Sequence, residues 1–165
     1  MKTLLRWTRS AARGVAALEF AIVLPILVLF MGGVADFGII YYRQSCLSTA
    51  VAAGAEYASL TDQRTPPVSA ANIQTVMTAA AAQALGSSVT VTSTASNPAT
   101  CYCITGSSPS STLTSATCGS SCASGGTAGK YVQLTLSTNY KPMMPALSQL
   151  VGTQTLSKTA WVPLQ

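Results

Sequence analysis

The feature that most constrains this chain is a long apolar stretch near its N-terminus. Between Gly14 and Tyr42 the only charged residues are Glu19 and Asp36. A helix needs about 20 apolar residues to cross the hydrocarbon core of a bilayer, and this stretch is longer than that. Four of the nine basic residues precede it: Lys2, Arg6, Arg9 and Arg13. The positive-inside rule therefore predicts a cytoplasmic N-terminus, with everything after Arg43 on the other side of the membrane.

A cleaved secretory signal is the competing interpretation of this stretch. Such a signal has an apolar core of about 7–15 residues followed by a small-x-small cleavage site. Here the apolar stretch is longer, and it contains Pro25, which removes a backbone hydrogen bond and is expected to kink the helix. We therefore predict a retained membrane helix, with Tyr41 and Tyr42 at its outer interface. Asp36 is expected near that boundary, in contact with water.

Composition restricts the possible functions. The 165 residues include no His and only four acids, which are Glu19, Asp36, Glu56 and Asp62. General acid–base catalysis draws mainly on these residue types, so we expect no enzyme, no catalytic residue and no cofactor. Without the four leader bases, five bases face four acids, and residues 65–129 carry no charge. Because no basic stripe is left to contact a phosphate backbone, nucleic acid is not an expected partner.

The start of the apolar stretch carries a processing motif. Gly14 follows the basic leader, and Glu19 and Phe20 stand fifth and sixth after it. This spacing resembles a type IV prepilin-like signal, which a prepilin peptidase cuts after the Gly and which leaves the apolar helix in the mature protein. The resemblance implies cleavage between Gly14 and Val15.

A carboxylate inside a membrane helix is costly without a partner. We expect Glu19 of one subunit to pair with the new Val15 ammonium of the next, which would set the axial register between packed helices. A Glu19 that reaches the cytoplasmic headgroups is the alternative.

The wider region resembles the TadE-like family. The resemblance covers roughly residues 13–60 and rests on the spacing of the acid, the Pro and the Ala-Gly-Ala segment. The residues that carry it are Gly14, Glu19-Phe20, Leu24-Pro25, Gly32-Gly33, Gln44, Ala50, Ala53-Gly54-Ala55 and Tyr57-Ala58. TadE-like proteins look like minor pseudopilins of the Tad (Flp) pilus assembly system.

The resemblance implies a single-pass protein of the bacterial inner membrane with a periplasmic C-terminal part, placed in an extracellular pilus or at its base or tip. The partners it implies are other Tad pilins or pseudopilins, the prepilin peptidase, the inner-membrane assembly platform and membrane lipid.

Helical periodicity continues beyond the apolar stretch. We expect one helix over about residues 14–59, whose small residues after Tyr42 pack closely on a sheet or another subunit. Thr65-Pro66-Pro67 ends the pattern. A second helix is predicted over Ala70–Leu85. Ser69 is its expected N-cap and Gly86 its expected stop. Its apolar stripe is expected to consist of Ile73, Val76, Met77, Ala80 and Ala84.

Alternation of polar and apolar residues predicts three strands, Ser88–Thr94, Tyr131–Tyr140 and Gln154–Val162. Short connections favour antiparallel pairing, and the inward residues of the middle strand are expected to be Val132, Leu134 and Leu136. The expected fold class is α+β: a long N-terminal transmembrane and stalk helix with a small, pilin-like periplasmic head of one helix and an antiparallel sheet. Its parts are a basic leader (1–14), a transmembrane helix (15–42), a periplasmic extension (43–60) and the head (61–165).

Four of the five cysteines lie in residues 87–127, about half of which are Ser or Thr: Cys101, Cys103, Cys118 and Cys122. An even set of cysteines in a small domain outside the cytoplasm favours disulfides. Cys101 and Cys103 are too close in sequence to bridge each other without strain. Either Cys101–Cys118 forms with Cys103–Cys122, or Cys101–Cys122 forms with Cys103–Cys118. The second, nested pairing suits a hairpin.

A zinc site made of these four thiolates is the alternative, but the compartment favours oxidation and no C-x-x-C pair is present, so no metal is expected. The fifth cysteine, Cys46, is predicted to be an unpaired packing residue of the long helix. An intersubunit disulfide at Cys46 is the alternative.

Three functions remain. The first is a minor pilin- or pseudopilin-like structural subunit that assembles by helix packing and presents a disulfide-bonded head. The second is a membrane-anchored periplasmic binding module that never enters a filament. The third is an anchored hydrolase with a Ser–Lys dyad from Lys130, Lys141 or Lys158, which is disfavoured because a Ser-rich chain forms such pairs by chance.

Overall fold

A computed structural model of the chain describes residues 4–64, 68–86, 89–106 and 112–165, with the side chains of 4–16, 64 and 146–147 left aside. The elements are α1 (Leu4–Arg64), α2 (Ala70–Leu85), β1 (Val91–Ala95), β2 (Cys101–Thr105), β3 (Thr112–Ala116), β4 (Gly129–Tyr140), α3 (Pro145–Val151) and β5 (Gln154–Leu164). A long N-terminal apolar helix is thus followed by a small helix and an antiparallel sheet, which confirms the predicted α+β class.

Two compact units divide these elements. The anchor unit contains α1 up to Ile39 together with Lys141–Gly152, and the sheet unit contains Ile40–Tyr140 together with Thr153–Gln165. The predicted helix break at Thr65-Pro66-Pro67 and the predicted strand start at Ser88 lie outside the described residues.

The two longer helices follow their local sequence signals. α1 is continuous, contains Pro25, and extends beyond the predicted 14–59 at both ends. α2 has the predicted bounds. Ser69 stands at its N-cap, but the Ser69 side chain makes no capping hydrogen bond, and the Gly86 N–H donates to the Ala82 carbonyl at the other end. Gly86 has φ 85°, a left-handed conformation that glycine adopts without steric cost.

The buried stripe of α2 is narrower than predicted. Ile73, Met77 and Ala81 are the buried residues, spaced four apart along one face. Val76, Ala80 and Ala84 were expected on this face and are only half-buried, while Ala81 was not expected.

β4 is the central strand of the sheet. β5 pairs with it along one edge, from Lys130↔Leu164 to Tyr140↔Gln154. The other edge of β4 is shared by β1, which pairs with residues 134–138, and by β2, which pairs with Gly129 and Lys130. β3 pairs with β2. All pairings are antiparallel, as predicted.

One face of this sheet contributes to the core of the sheet unit. Val132, Leu134 and Leu136 have no exposed surface, which confirms their predicted inward orientation. The remaining buried residues of this core include, on the sheet, Tyr140, Leu156 and Val162, and on the helices Leu47, Ala50, Val51, Ala58, Ile73, Met77 and Ala81. The opposite face is polar, and on it the Thr135 and Thr159 hydroxyls are hydrogen-bonded at 3.0 Å.

Sequence periodicity missed three elements. The hairpin of β2 and β3 lies in the Ser/Thr-rich segment, and the short helix α3 lies between the second and third predicted strands. Pro145 occupies the start of α3, where its missing N–H costs no hydrogen bond.

Candidate functional site

The surface of α1 between Leu18 and Phe37, here called the apolar belt, carries large apolar side chains on all its sides. Their exposure ranges from 43% at Leu24 to 73% at Val34. Twenty helical residues rise about 30 Å, which is the thickness of a bilayer hydrocarbon core. Among the described residues one helix is long and apolar enough to cross a membrane, and the belt lies in it. Lipid or other helices can cover such a surface.

The predicted processing and register residues lie at the start of this helix. Gly14 and Val15 are part of α1, and Glu19 and Phe20 are exposed on its surface one turn later. Their processing and register roles stay predictions.

Asp36 is buried, with 4% of its surface exposed. Its carboxylate accepts hydrogen bonds from the backbone N–H groups of Met143 at 2.9 Å and Met144 at 3.4 Å. The expected water contact of Asp36 is therefore wrong, because a segment more than 100 residues away in sequence supplies its partners. One turn earlier in α1, a Cβ added at Gly32 would collide with the Met144 side chain, which would have to move to admit a larger residue.

In the sheet unit, polar contacts hold α1 against its neighbours. The Tyr42 hydroxyl donates to the Ala84 carbonyl at 3.0 Å. The Arg43 guanidinium lies 5.0 Å from the Tyr140 ring centroid and donates to the Asn139 carbonyl at 3.4 Å. The first is a helix–helix contact and the second a helix–strand contact.

Helix α1 and helix α2 also meet at a glycine. A Cβ added at Gly54 would collide with the Met77 side chain, and the Ile73 Cγ2 would lie at 3.6 Å. The small Ala-Gly-Ala segment is therefore a packing site within the chain.

The four paired cysteines form Cys101–Cys118 and Cys103–Cys122, with Cα–Cα distances of 5.1 and 5.6 Å. The nested pairing favoured from the sequence is wrong. Nested disulfides require the segment that carries Cys118 and Cys122 to run antiparallel to β2. Residues 118–124 instead run alongside β2 in the same direction. Cys118 Sγ lies 3.9 Å from the Ala99 carbonyl oxygen, and the Ser124 hydroxyl donates to the Ile104 carbonyl at 2.5 Å.

The two disulfides build a small core of their own. Cys101, Cys103 and Ala128 are buried, and Ala116 and Cys122 pack against them. All four sulfurs are bonded to one another in pairs, so none is a thiolate ligand for zinc. The described ranges contain no group of three or more His, Cys, Asp or Glu placed to hold a metal ion.

Cys46 is free and buried, with its Sγ 4.0 Å from the Ala84 carbonyl oxygen. Its 9% exposure leaves little sulfur surface for a cysteine of a second subunit. Lys130, one of the lysines considered for a Ser–Lys dyad, donates from Nζ to the Gln165 carbonyl at 3.0 Å.

The N-terminal segment is the part of the chain that is similar to a known family. Residues 14–56 match the family model described as TadE-like protein. Neither the curated proteins nor the solved structures that were searched contain a match to this chain. The matched residues include the apolar belt, Asp36 and Gly54, and they lie within residues 13–60, which resemble the same family in the sequence. Over this quarter of the chain the protein is similar to TadE-like proteins, a structural and pilus-associated family, and the similarity suggests a Tad pilus-associated membrane protein.

Proposed function

We propose that this protein is a minor pilin- or pseudopilin-like structural subunit of a Tad (Flp) pilus, anchored in the bacterial inner membrane and assembled through α1. The apolar belt within a TadE-like segment is the observation that carries this proposal. A soluble protein rarely leaves such a surface uncovered, and lipid or the helices of other subunits would cover it on every side.

The charge distribution supports one orientation. Four bases precede the belt, which favours a cytoplasmic leader, and the sheet unit then lies in the periplasm. The two disulfides fit that compartment, because disulfides persist in the oxidising bacterial periplasm.

Processing would convert this anchored protein into an assembly-competent subunit. A prepilin peptidase is the proposed partner, and it would cut between Gly14 and Val15. The new Val15 ammonium would pair with Glu19 of a neighbouring subunit. A desolvated ion pair of this kind is strong only when both charges are present, so it would favour one axial register of the packed helices.

The mature N-terminus is the direct test of this proposal. Mass spectrometry of protein isolated from cells with an active prepilin peptidase is expected to find a chain that begins at Val15, and the intact leader in cells without the peptidase. Retention of Met1 in both strains would contradict processing. A mature chain that begins after Tyr42 would remove the belt and overturn the anchor itself.

Glu19→Ala tests the register role separately from insertion. The substitution removes a charge from the membrane helix, so membrane insertion should not fall, while pilus formation should. Glu56→Ala is the matched control, because Glu56 is an exposed acid on the same helix in the sheet unit. Equal pilus formation by wild type and Glu19→Ala would refute the register role. Membrane insertion without any pilus association in the wild type would favour a membrane-anchored binding module instead.

A further inference from the structure

We infer that residues 142–151, between β4 and β5, form a second membrane contact that inserts into the outer leaflet beside α1. The inference rests on the proposed anchoring of α1 in the membrane. It concerns only the anchor unit, to which this segment belongs.

The first argument is where the segment touches α1. Met143 and Met144 donate to Asp36, and Met144 occupies the space that a side chain at Gly32 would fill. Both α1 positions lie within the apolar belt. The segment is therefore packed against the part of the helix that lipid is proposed to cover.

The second argument is depth. When the belt ends at the outer boundary of the hydrocarbon core, Gly32 lies five residues before Phe37, about 7.5 Å inside that boundary. Interfacial segments bury their apolar side chains about 5–10 Å into the boundary between headgroups and acyl chains. Asp36 lies at the boundary itself. The depth of the contact thus matches an interfacial segment rather than a second membrane span.

The third argument is composition and exposure. No charged residue occurs between Lys141 and Lys158. Met143, Leu150 and Val151 are 77%, 83% and 51% exposed in this short segment. Insertion into the leaflet would remove these three side chains from water, and the Lys141 ammonium could stay among the headgroups.

The fourth argument is that backbone N–H groups of the segment have hydrogen-bond partners. In lipid every backbone N–H needs a partner. The Asp36 carboxylate accepts from the two N–H groups that precede α3, and Pro145 has none to satisfy. The N–H groups of Ser148 and Gly152 donate to the Met144 and Ser148 carbonyls. The described contacts thus explain why a buried carboxylate stands at this depth.

Lipid is the occupant that these observations favour over a second copy of the chain. The segment contacts the belt at Gly32 and Asp36, its exposed side chains include the apolar Met143, Leu150 and Val151, and it offers no charge that would select a protein partner.

Nitroxide labelling of the full-length protein in lipid vesicles tests the inference. Cys46→Ala removes the free thiol, and single labels are then placed at Leu150→Cys, Phe30→Cys and Ser157→Cys. Phe30 reports on the belt, and Ser157 is an exposed position on β5 in the sheet unit. Collisions with oxygen, which concentrates in lipid, are compared with collisions with a water-soluble nickel complex. The oxygen-to-nickel ratio at Leu150 is expected to approach that at Phe30 and to exceed that at Ser157 several-fold.

Two results would overturn the inference while leaving the anchor intact. In each of them the label at Phe30 is accessible to oxygen. In the first, the label at Leu150 is accessible to nickel. In the second, it is shielded from oxygen and from nickel, which would indicate a protein contact. A nickel-accessible Phe30 would instead overturn the proposed anchor, and the inference with it. A label at Val151→Cys repeats the measurement on an independent side chain, and both label sites are exposed, so the variants should fold.

Discussion

Removal of the Cys103–Cys122 disulfide by Cys103→Ala together with Cys122→Ala is expected to destabilise the sheet unit by about 2.5 kcal/mol. The disulfide joins residues 19 apart in sequence, and Cys101–Cys118 joins residues 17 apart. The two loops overlap over residues 103–118, so their contributions are not independent. This overlap determines how much stability is lost when one disulfide is removed.

The chain-entropy relation gives about 3 kcal/mol for the first disulfide to close, since either loop contains nearly 20 residues. With one disulfide in place, the other closes a ring that runs only through residues 101–103 and 118–122. The same relation then gives about 2.5 kcal/mol for the second. Loss of one disulfide should therefore cost about 2.5 kcal/mol, and loss of both about 5.5 kcal/mol.

Thermal unfolding of the full-length protein in detergent, followed by near-ultraviolet circular dichroism, measures the loss. For a unit of this size a change of 1 kcal/mol corresponds to about 4 °C, so Tm should fall by about 10 °C when one disulfide is removed. Cys46→Ala is the control, because Cys46 is buried and free. Its Tm should fall by much less.

A mismatched double variant tests the pairing itself. Cys101→Ala together with Cys122→Ala takes one cysteine from each disulfide, so Tm should fall by about 20 °C and two new free thiols should appear. In the nested arrangement the same variant would lose only one disulfide. In the nested arrangement Cys103→Ala with Cys122→Ala would instead lose both disulfides. A fall in Tm about half that of Cys103→Ala with Cys122→Ala, without new thiols and with wild-type peptide mapping that recovers Cys101–Cys122, would therefore refute the pairing described above.

The remaining predictions concern the core of the sheet unit and use the same unfolding assay. Gly54→Leu should destabilise it by about 2–3 kcal/mol, because the new side chain collides with buried Met77, whereas Gly38→Leu meets open space and should leave Tm unchanged. Equal Tm values for the two variants would contradict the close contact of α1 with α2. Leu134→Ala should cost about 2–5 kcal/mol, since Leu134 is fully buried in β4, and Thr135→Ala on the polar face should cost less than about 1 kcal/mol. A larger loss at Thr135 would reverse the assignment of the two faces.

The sequence predicts best those elements whose signals are local. The bounds of α2 are those predicted from Ser69 and Gly86, and both residues lie at its ends, although the Ser69 side chain makes no capping hydrogen bond. The strict alternation of Val132, Leu134 and Leu136 predicts the inward face of β4. Each of these signals is carried by residues close together in sequence, as a helix terminus or a strand period, and does not require knowledge of the partner element.

Elements that depend on distant partners are not predictable in this way. β2 and β3 lie in a Ser/Thr-rich segment whose hydroxyls compete for backbone hydrogen bonds and obscure any alternation. The buried state of Asp36 depends on Met143, which is 107 residues away. The cystine pairing depends on the direction in which residues 118–124 pass β2, and cysteine spacing carries no information on that direction.

Helix α1 carries two kinds of apolar surface, one after the other along a single continuous helix. Up to Phe37 its large side chains are exposed, whereas beyond Arg43 its buried residues are mostly small and belong to the core of the sheet unit, as Ala50 and Ala58 do. The TadE-like match spans both parts and ends at residue 56, before the sheet begins. A change in the belt should therefore alter membrane anchoring and assembly without altering the Tm of the sheet unit. A change at Gly54 or Leu134 should do the reverse. The family resemblance thus lies in the helix that anchors and packs, while the disulfide-bonded sheet supplies surface that the family match does not describe.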